Sequence, residues 1–303
     1  MRLVPEDKQA EETPNATGSE SALESADLSA GYGDRQVLEQ LSLSIERGSI
    51  TALVGPNGSG KSTMLKALAR MLHPRHGAVY LGGRDIARLP TREVARRLAI
   101  LPQAPTAPEE LTVAELVERG RYPHVGPLRL FSDADRSAIA RALTATQMTE
   151  FRARPLDSLS GGERQRAWIA LALAQETPIL LLDEPTTYLD VGHQFEVLDL
   201  VRQLNIEQGM TIVLVLHDLN QAARFSHRMV VFEEGHIVAD GSPGDVLTPK
   251  MLARVFNVRA HVVPHPEDGS PVCLPYGLAG VDGVENGALT GLPVSVPEAQ
   301  ASG

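Results

Sequence analysis

Residues 55–63 read Gly-Pro-Asn-Gly-Ser-Gly-Lys-Ser-Thr, and this stretch decides how the rest of the chain is interpreted. It fits G-x-x-x-x-G-K-[ST], the pattern of loops that wrap the phosphates of a nucleotide. An apolar run at 50–54 precedes it, and a helical pattern at 64–72 follows it. Because a phosphate loop joins a strand to a helix, the flanking segments favour the same interpretation. The stretch therefore predicts a binding site for a nucleoside triphosphate.

The residue types in this stretch suit phosphate binding. Gly55, Gly58 and Gly60 allow bends that point successive backbone N–H groups at the phosphates, and a helix that begins near Lys61 adds its positive end. The Lys61 ammonium is expected to neutralise charge between the β- and γ-phosphates, and the Ser62 hydroxyl to ligate Mg²⁺. The predicted nucleotide-binding residues of the stretch are Gly55, Pro56, Asn57, Gly58, Ser59, Gly60, Lys61, Ser62 and Thr63.

The composition of the 303-residue chain is that of a globular protein with a sizeable core. No apolar run approaches the length of about 18 residues that a membrane-spanning helix needs. The N-terminus lacks the apolar core of a secretory signal, and the single cysteine, Cys273, cannot form an internal disulfide. We therefore expect a protein of the cytosol in which Cys273 is a buried or idle thiol.

The negative charge of the chain is concentrated at its two ends. The net charge is −10, and residues 1–25 and 259–303 contribute −4 each. Residues 1–24 are acidic and rich in Ser, Glu and Thr, and residues 277–303 are rich in Gly, Val, Pro and Ala, so both are expected to be disordered tails. The part between them has no basic stripe with interleaved aromatic residues, which argues against nucleic acid as a partner.

Between the tails, short apolar runs alternate with helical patterns. Each run is rich in Ile, Val and Leu, and the runs are 50–54, 97–101, 178–182 and 211–216. Buried parallel strands with helices on both faces produce this alternation. The region from about 104 to 158 departs from it, because it opens with three prolines and then shows mostly helical periods. We predict an α/β fold with a helical insertion.

Two smaller features refine this division. Ser132 followed by Asp135 resembles a capping box, which predicts that a helix of the insertion starts there. A short helix is expected over 245–256, and the Val- and Pro-rich stretch 258–276 is expected to form a small hairpin.

A pair of carboxylates follows one of the apolar runs directly. Ile179–Leu182 is apolar enough for the centre of the sheet, and Asp183 and Glu184 come next. Ligands of open α/β sheets bind at the carboxyl ends of the strands. Asp183 is therefore expected to hold Mg²⁺, directly or through water, and Glu184 to polarise an attacking water or accept its proton. The alternative, that the two acids only cap a helix, is disfavoured by the phosphate loop in the same chain.

A second anion site is predicted in Leu159–Arg166, which reads Leu-Ser-Gly-Gly-Glu-Arg-Gln-Arg just before a helical pattern at 167–174. Ser160, Gly161 and Gly162 would bring together a hydroxyl, free backbone N–H groups and the positive end of a helix. One triphosphate at 55–63 leaves this second site without a ligand from its own chain. A head-to-tail dimer resolves this, because each copy then offers its second site to the γ-phosphate held by the other.

With these motifs in place, the chain resembles the ATPases of the ATP-binding cassette (ABC) family over roughly residues 26–257. Leu159–Arg166 is similar to the signature motif of that family, with Glu163 a common variant of its fifth residue, and Ser160 stands 23 residues before Asp183. The resemblance implies a P-loop NTPase fold with a helical insertion subdomain and an antiparallel β edge. It implies an ATPase domain over 25–258, a short C-terminal extension over 259–276, and ATP with Mg²⁺ as the nucleotide.

Four residues receive a role only through this resemblance. Tyr32, 23 residues before Gly55, would stack on adenine, and Gln103 would sense Mg²⁺ and the attacking water and hinge the insertion. Asp190 would belong to the loop that communicates across the dimer. His217, 33 residues after Glu184, would contact the γ-phosphate and hold the water and Glu184 in place.

The insertion and its surroundings resemble one branch of the family, the ATPases of bacterial ferric-siderophore importers. The segments that carry this likeness are 89–93, 112–117, 120–124 and 217–222, together with 263–264 and 273–275 in the stretch after residue 258. Haem and cobalamin importers share much of it and stay alternatives. The resemblance implies a homodimer that docks on separate integral membrane permease subunits at the cytoplasmic face of the cell membrane, served indirectly by an extracytoplasmic substrate-binding protein. A cassette that acts on DNA or ribosomes is less favoured, because the chain has one cassette, no long coiled coil and no basic patch in its core. An exporter is also less favoured, because exporters usually fuse the cassette to membrane domains and this sequence has no membrane span.

Overall fold

The computed structural model of the protein describes residues 21–108, 110–125 and 131–280. Most of both expected tails lies outside these ranges. Their inner boundaries need correction, because a strand begins at Ser21 and another ends at Leu278.

The N-terminal boundary was misplaced because polar residues occupy that strand. Ser21 and Ser25 are buried, and their hydroxyls donate hydrogen bonds to the backbone carbonyls of Ile45 and Leu41. A buried hydroxyl with a backbone partner costs little, so a Ser- and Glu-rich segment can pair into a sheet.

The centre of the molecule is a six-stranded sheet. Its strands are β3 (Ile50–Val54), β6 (Leu98–Leu101), β7 (Ile179–Asp183), β8 (Thr211–Val215), β9 (Arg228–Glu233) and β10 (His236–Gly241). They lie in the order β10-β9-β3-β8-β7-β6, and all neighbours are parallel except the edge strand β10. All four apolar runs of the sequence form strands here, and the predicted α/β fold is confirmed.

A second, antiparallel sheet covers one side and supplies the expected β edge. Its strands are β1 (Ser21–Tyr32), β2 (Arg35–Glu46), β4 (His76–Leu81) and β5 (Arg84–Asp85). They lie in the order β2-β1-β4-β5. Several register shifts interrupt the pairing of β1 with β2, and residues of both strands share an apolar cluster with Leu53 of β3.

Nine helices are present in the described residues. They are α1 (Lys61–Leu68), α2 (Thr91–Ala95), α3 (Val113–Glu118), α4 (Asp133–Ala145), α5 (Gly161–Ala174), α6 (Val191–Gln208), α7 (Leu219–Phe225), α8 (Pro243–Val246) and α9 (Pro249–Phe256). The single helix expected over 245–256 is two helices. Pro249 cannot donate a backbone hydrogen bond, so α8 ends before it and α9 starts at it with Thr248 as its cap.

Two apolar layers fill the space on either side of the central sheet. In β3, Ala52 and Val54 face the layer that contains α6, α7 and α9, while Leu53 faces the layer that contains α1 and the antiparallel sheet. Each fully buried Leu or Val contributes roughly 1.5–3 kcal/mol. Because both faces are covered, the central strands are apolar throughout, which is why the sequence shows them as continuous runs.

The helical insertion has an apolar core of its own. Leu116 of α3, Leu143 of α4 and Ala170 of α5 belong to this cluster, and α3, α4 and α5 pack against one another. The cap expected at Ser132 is present: its hydroxyl and the Asp135 carboxylate form a reciprocal capping box at the start of α4. Residues 126–130 of the expected insertion lie outside the described residues.

The hairpin expected after residue 258 is formed by β11 (Val258–Pro264) and β12 (Pro271–Leu278), which pair antiparallel. Ala260 and Cys273 are buried in the same apolar layer as α6 and α7, so this hairpin packs into the core. In the part of the chain that the structure describes, no helix combines the length and the apolar character needed to cross a membrane.

Candidate active site

Four strands of the central sheet deliver polar residues to one edge. The phosphate loop follows β3, Gln103 follows β6, Glu184 follows β7 and His217 follows β8. Because these strands are parallel neighbours in register, their carboxyl ends meet at this edge. The topology explains why residues more than 150 positions apart come together.

The phosphate loop needs glycine at defined places. Gly55 has a φ of +147°, and a Cβ there would lie 2.2 Å from the backbone oxygen of Phe232. Gly60 has a φ of +108° and caps the start of α1. Both conformations exclude a residue with a side chain.

The Lys61 ammonium is folded back over the loop. It is buried and donates hydrogen bonds to the backbone oxygens of Gly55, at 2.9 Å, and Pro56, at 2.8 Å. Burial lowers the pKa of Lys61, while the nearby charges of Glu184 and Asp183 raise it. A cation desolvated in this way interacts strongly with a phosphate brought beside it.

Ser62 and Asp183 form the pair expected to hold the metal. The Ser62 hydroxyl donates to Asp183 Oδ1 at 2.7 Å, and Asp183 is buried at the end of β7. Burial raises the pKa of Asp183, and the Ser62 hydrogen bond opposes this shift. Hydroxyl and carboxylate oxygens are the ligands that Mg²⁺ prefers alongside phosphate, so this pair fits that ion.

The Glu184 carboxylate is held from three directions. Gln103 Nε2 donates to Glu184 Oε2 at 2.5 Å, and the Thr187 hydroxyl donates to the same oxygen at 3.1 Å. His217 Nε2 lies 2.7 Å from Glu184 Oε1. Glu184 also has a φ of +52°, a conformation that is strained for a residue with a side chain. The strain and the three partners fix the carboxylate at the edge of the sheet.

The phosphate loop, Glu184 and His217 line a common cleft of about 370 Å³. Tyr32 lies at its rim with 48% of its surface exposed, as a residue that stacks on a base requires. The cleft lining also includes Arg35 and Val37 of β2, which the sequence did not single out. Their position follows from the β1–β2 turn that brings Tyr32 to the cleft, and this turn carries no motif of its own.

The predicted second anion site does not line this cleft. The helix expected to begin at 167 begins at Gly161 instead, because Ser160 and Glu163 form a capping box that starts α5 inside the motif. Glu163 donates its backbone N–H to Ser160 Oγ, and the Ser160 backbone N–H donates to Glu163 Oε2 at 2.8 Å. Ser160 and Gly161 are exposed at the surface. The second anion site is thus accessible at Ser160 and Gly161, and it is separate from the phosphate loop of its own chain.

Asp190 lies close to this second site. Its side chain caps α6 by accepting from the backbone N–H of His193 at 2.9 Å, and His193 Nδ1 lies 2.8 Å from the same oxygen. The His193 ring covers Gly162, where a Cβ would come within 2.3 Å of ring atom Cδ2. These contacts join the start of α6 to the start of α5. No sequence pattern marks His193, since only the fold brings its ring onto Gly162.

Comparison with known proteins agrees with this geometry. The family profile described as "ABC transporter" matches residues 38–187. The chain is 52% identical over 257 residues to the "Probable siderophore transport system ATP-binding protein YusV" of Bacillus subtilis (strain 168), which covers 85% of this chain and 94% of that protein. It is 51% identical over 258 residues to the "Iron(3+)-hydroxamate import ATP-binding protein FhuC" of the same organism, with 85% and 96% covered.

A solved structure shares the fold. The chain superposes on the dimeric structure of MJ0796, a bacterial ABC transporter cassette, with a TM-score of 0.65 and 29% sequence identity, over 73% of this chain and 98% of that one.

Proposed function

The chain belongs to the family of ABC transporter ATPases, and on that premise we propose that it powers the import of a ferric siderophore through a separate membrane permease. The observation that carries this proposal is that the two predicted phosphate-binding sites of the chain lie on different parts of its surface. The phosphate loop and Glu184 share one cleft, and the exposed residues Ser160 and Gly161 of the second anion site lie outside it. The cargo is inferred from relatives that are about half identical over most of the chain.

ATP is the substrate that fits the cleft. Tyr32 offers an aromatic face to the base, and the loop 55–60 and Lys61 offer N–H groups and a cation to the phosphates. When ATP enters, its phosphate oxygens replace the backbone oxygens of Gly55 and Pro56 as acceptors for Lys61. The exchange is favourable because an ionised acceptor makes the stronger hydrogen bond.

Ser62 and Asp183 would hold Mg²⁺, with Gln103 nearby. The ion supplies charge neutralisation for the β- and γ-phosphates when it is bound. Asp183 must be ionised for this role. Burial raises the pKa of Asp183, and the Ser62 hydroxyl that donates to it opposes that shift.

Glu184 is the residue placed to activate water. Gln103, Thr187 and His217 orient its carboxylate at the cleft, so that a water between Glu184 and the γ-phosphate would find an acceptor for its proton. Half of the His217 side chain is open to solvent on the cleft side, where it can also reach the γ-phosphate.

Two copies would assemble head to tail, so that Ser160–Gly162 of each completes the site of the other. The similar cassette is dimeric, which supports the assembly of two copies. Closure of the pair on ATP, and reopening after hydrolysis, would move the helical insertion as a rigid body. Permease subunits at the cytoplasmic face of the membrane would then switch between inward and outward states, and an extracytoplasmic binding protein would deliver the cargo.

The test is uptake of labelled iron, supplied on a panel of siderophores, in cells whose only copy carries Glu184→Gln. We expect loss of uptake for one siderophore class and its restoration by the unaltered chain. Normal uptake of every ferric complex would contradict the siderophore assignment. Loss of haem or cobalamin uptake in the same cells would then identify the cargo among the two alternatives.

A further inference from the structure

Two glutamine side chains form a bridge between the helix that follows His217 and the loop that precedes Asp190. Gln221 Nε2 on α7 donates to Gln194 Oε1 on α6 at 2.6 Å. Gln194 Nε2 then donates to the backbone oxygen of Leu189 at 3.0 Å. Both amides are half-buried, so these hydrogen bonds are shielded from competing water and are directional.

One end of this amide bridge is tied to the hydrolysis site. Asp218, the residue directly after His217, caps α7 by accepting from the backbone N–H of Gln221 at 2.9 Å. Gln221 therefore anchors the start of α7 through its backbone N–H and contacts α6 through its side chain. Because His217 lies 2.7 Å from Glu184, a shift of α7 changes how His217 meets that carboxylate.

The other end is tied to the second anion site. Leu189 Cδ2 lies 3.5 Å from the place of a Cβ on Gly161, and the ring of His193, next to Gln194, covers Gly162. A ligand that pulls on Ser160–Gly162 therefore displaces Leu189 and the start of α6 together. Gln194 is the polar group that links this displacement to α7.

From these contacts we propose that Gln194 and Gln221 are positioning residues that couple occupancy of the anion site at Ser160–Gly162 to the placement of His217 in the same chain. The proposal rests on the dimeric ATPase described above, in which the partner's γ-phosphate occupies that anion site. Through the bridge, engagement of the partner's nucleotide brings His217 into position and makes the two hydrolysis sites cooperative.

The α6–α7 contact does not depend on the amides alone, which makes the proposal testable in folded variants. Phe195 of α6 and Phe225 of α7 pack edge to face with their ring centroids 5.9 Å apart. Replacing Gln194 or Gln221 by Leu keeps the apolar volume of the contact. The exposed Gln203 on the same helix provides a matched control, since Gln203→Leu removes an amide of α6 outside the bridge.

The experiment measures the ATPase rate of the full-length chain against the concentration of Mg-ATP. We expect the unaltered chain and Gln203→Leu to show a Hill coefficient above 1. Gln194→Leu and Gln221→Leu should each lower kcat about 3- to 10-fold, the net effect of one lost hydrogen bond, and bring the Hill coefficient to about 1. The double variant should be no worse than either single one, because both changes break the same bridge.

Gln194→Glu tests whether cooperativity depends on the hydrogen bond to Leu189 or only on the packing of α6 against α7. A glutamate at 194 still accepts from Gln221 but cannot donate to Leu189, so coupling through Leu189 predicts the same loss of cooperativity as Gln194→Leu. Restoration of cooperativity by Gln194→Glu, or single variants that retain the kcat and Hill coefficient of the unaltered chain, would overturn the proposal. An unaltered chain that binds ATP without hydrolysing it would instead overturn the proposed function, and the coupling with it.

Discussion

Replacing Asp135 by Asn tests what holds the helical insertion together. Asp135 is buried at the start of α4, where Oδ1 accepts from Arg121 Nε at 2.9 Å and Oδ2 accepts from the Ser132 hydroxyl at 2.6 Å. These partners, the Ser132 hydroxyl first, lower the pKa of Asp135 from 3.8 to about 2, against the opposing effect of burial. Asn keeps the shape of the side chain and removes its charge.

The pKa shift sets the size of the effect. A fall from 3.8 to about 2 corresponds to about 2 kcal/mol of folding free energy at neutral pH. Because the pKa is lower in the folded state, this contribution is present above about pH 4 and is lost as the pH falls through about 2. Roughly half of it remains at pH 3. Asp135→Asn should therefore be about 2 kcal/mol less stable than the unaltered chain at pH 7, and about 1 kcal/mol less stable at pH 3.

The single tryptophan, Trp168, provides the assay, because it packs against the apolar cluster of the insertion. Urea unfolding would be followed by its fluorescence at pH 7, 4 and 3. Asp133→Asn is the matched control, since Asp133 is a neighbouring carboxylate with 98% of its side chain exposed, and it should change stability by less than about 0.5 kcal/mol. A stability difference for Asp135→Asn that is the same at pH 7 and pH 3 would refute the reasoning.

Three further changes have effects that follow from the structure. Thr187→Val removes a hydrogen-bond donor to Glu184 and should lower kcat roughly 10-fold at unchanged KM for ATP in a steady-state assay. Thr187→Ser keeps the hydroxyl and should restore kcat, so an equal loss of kcat in both variants would contradict this expectation. Gly120→Ala places a Cβ 2.3 Å from the backbone oxygen of Leu171 and should lower the free energy of unfolding in urea by about 1–3 kcal/mol. An unchanged unfolding midpoint would contradict this, because it would mean that the backbone around residue 120 moves to accept the methyl group. Leu198→Ala opens a cavity in the core and should lower the free energy of unfolding by about 2–5 kcal/mol in the same measurement. A loss below about 1 kcal/mol would contradict this, because it would mean that neighbouring side chains fill the cavity.

The central sheet and the phosphate loop could be predicted because their signals are local. Short runs such as 50–54 and 211–215, each apolar except for one threonine, indicate a buried strand without reference to the rest of the chain. The residues that end these strands could be assigned to one edge because parallel strands leave no other arrangement. The roles of Gln103 and His217 in hydrolysis came from the resemblance, whereas that of Glu184 followed from its place after a central strand, and all three stay proposals.

The remaining features depend on tertiary contacts, which leave no pattern in the sequence. The sequence pattern assigns the first residues of β1 to a tail, because the buried hydroxyls of Ser21 and Ser25 find their partners on carbonyls 24 and 16 positions away. Arg121 looks like a surface residue, yet it is buried against Asp135 and the backbone oxygen of Ala174. Each of these polar groups is stable inside only because a distant partner meets it.

The central claim is that two copies of this chain share two ATP molecules across their interface. The most direct test is the mass of the purified Glu184→Gln chain, measured by light scattering with Mg-ATP and with Mg-ADP, together with the bound nucleotide per chain. We expect stable dimers that hold one ATP per chain with ATP, and monomers with ADP. Monomers at saturating ATP, in a chain that still binds the nucleotide, would contradict the claim.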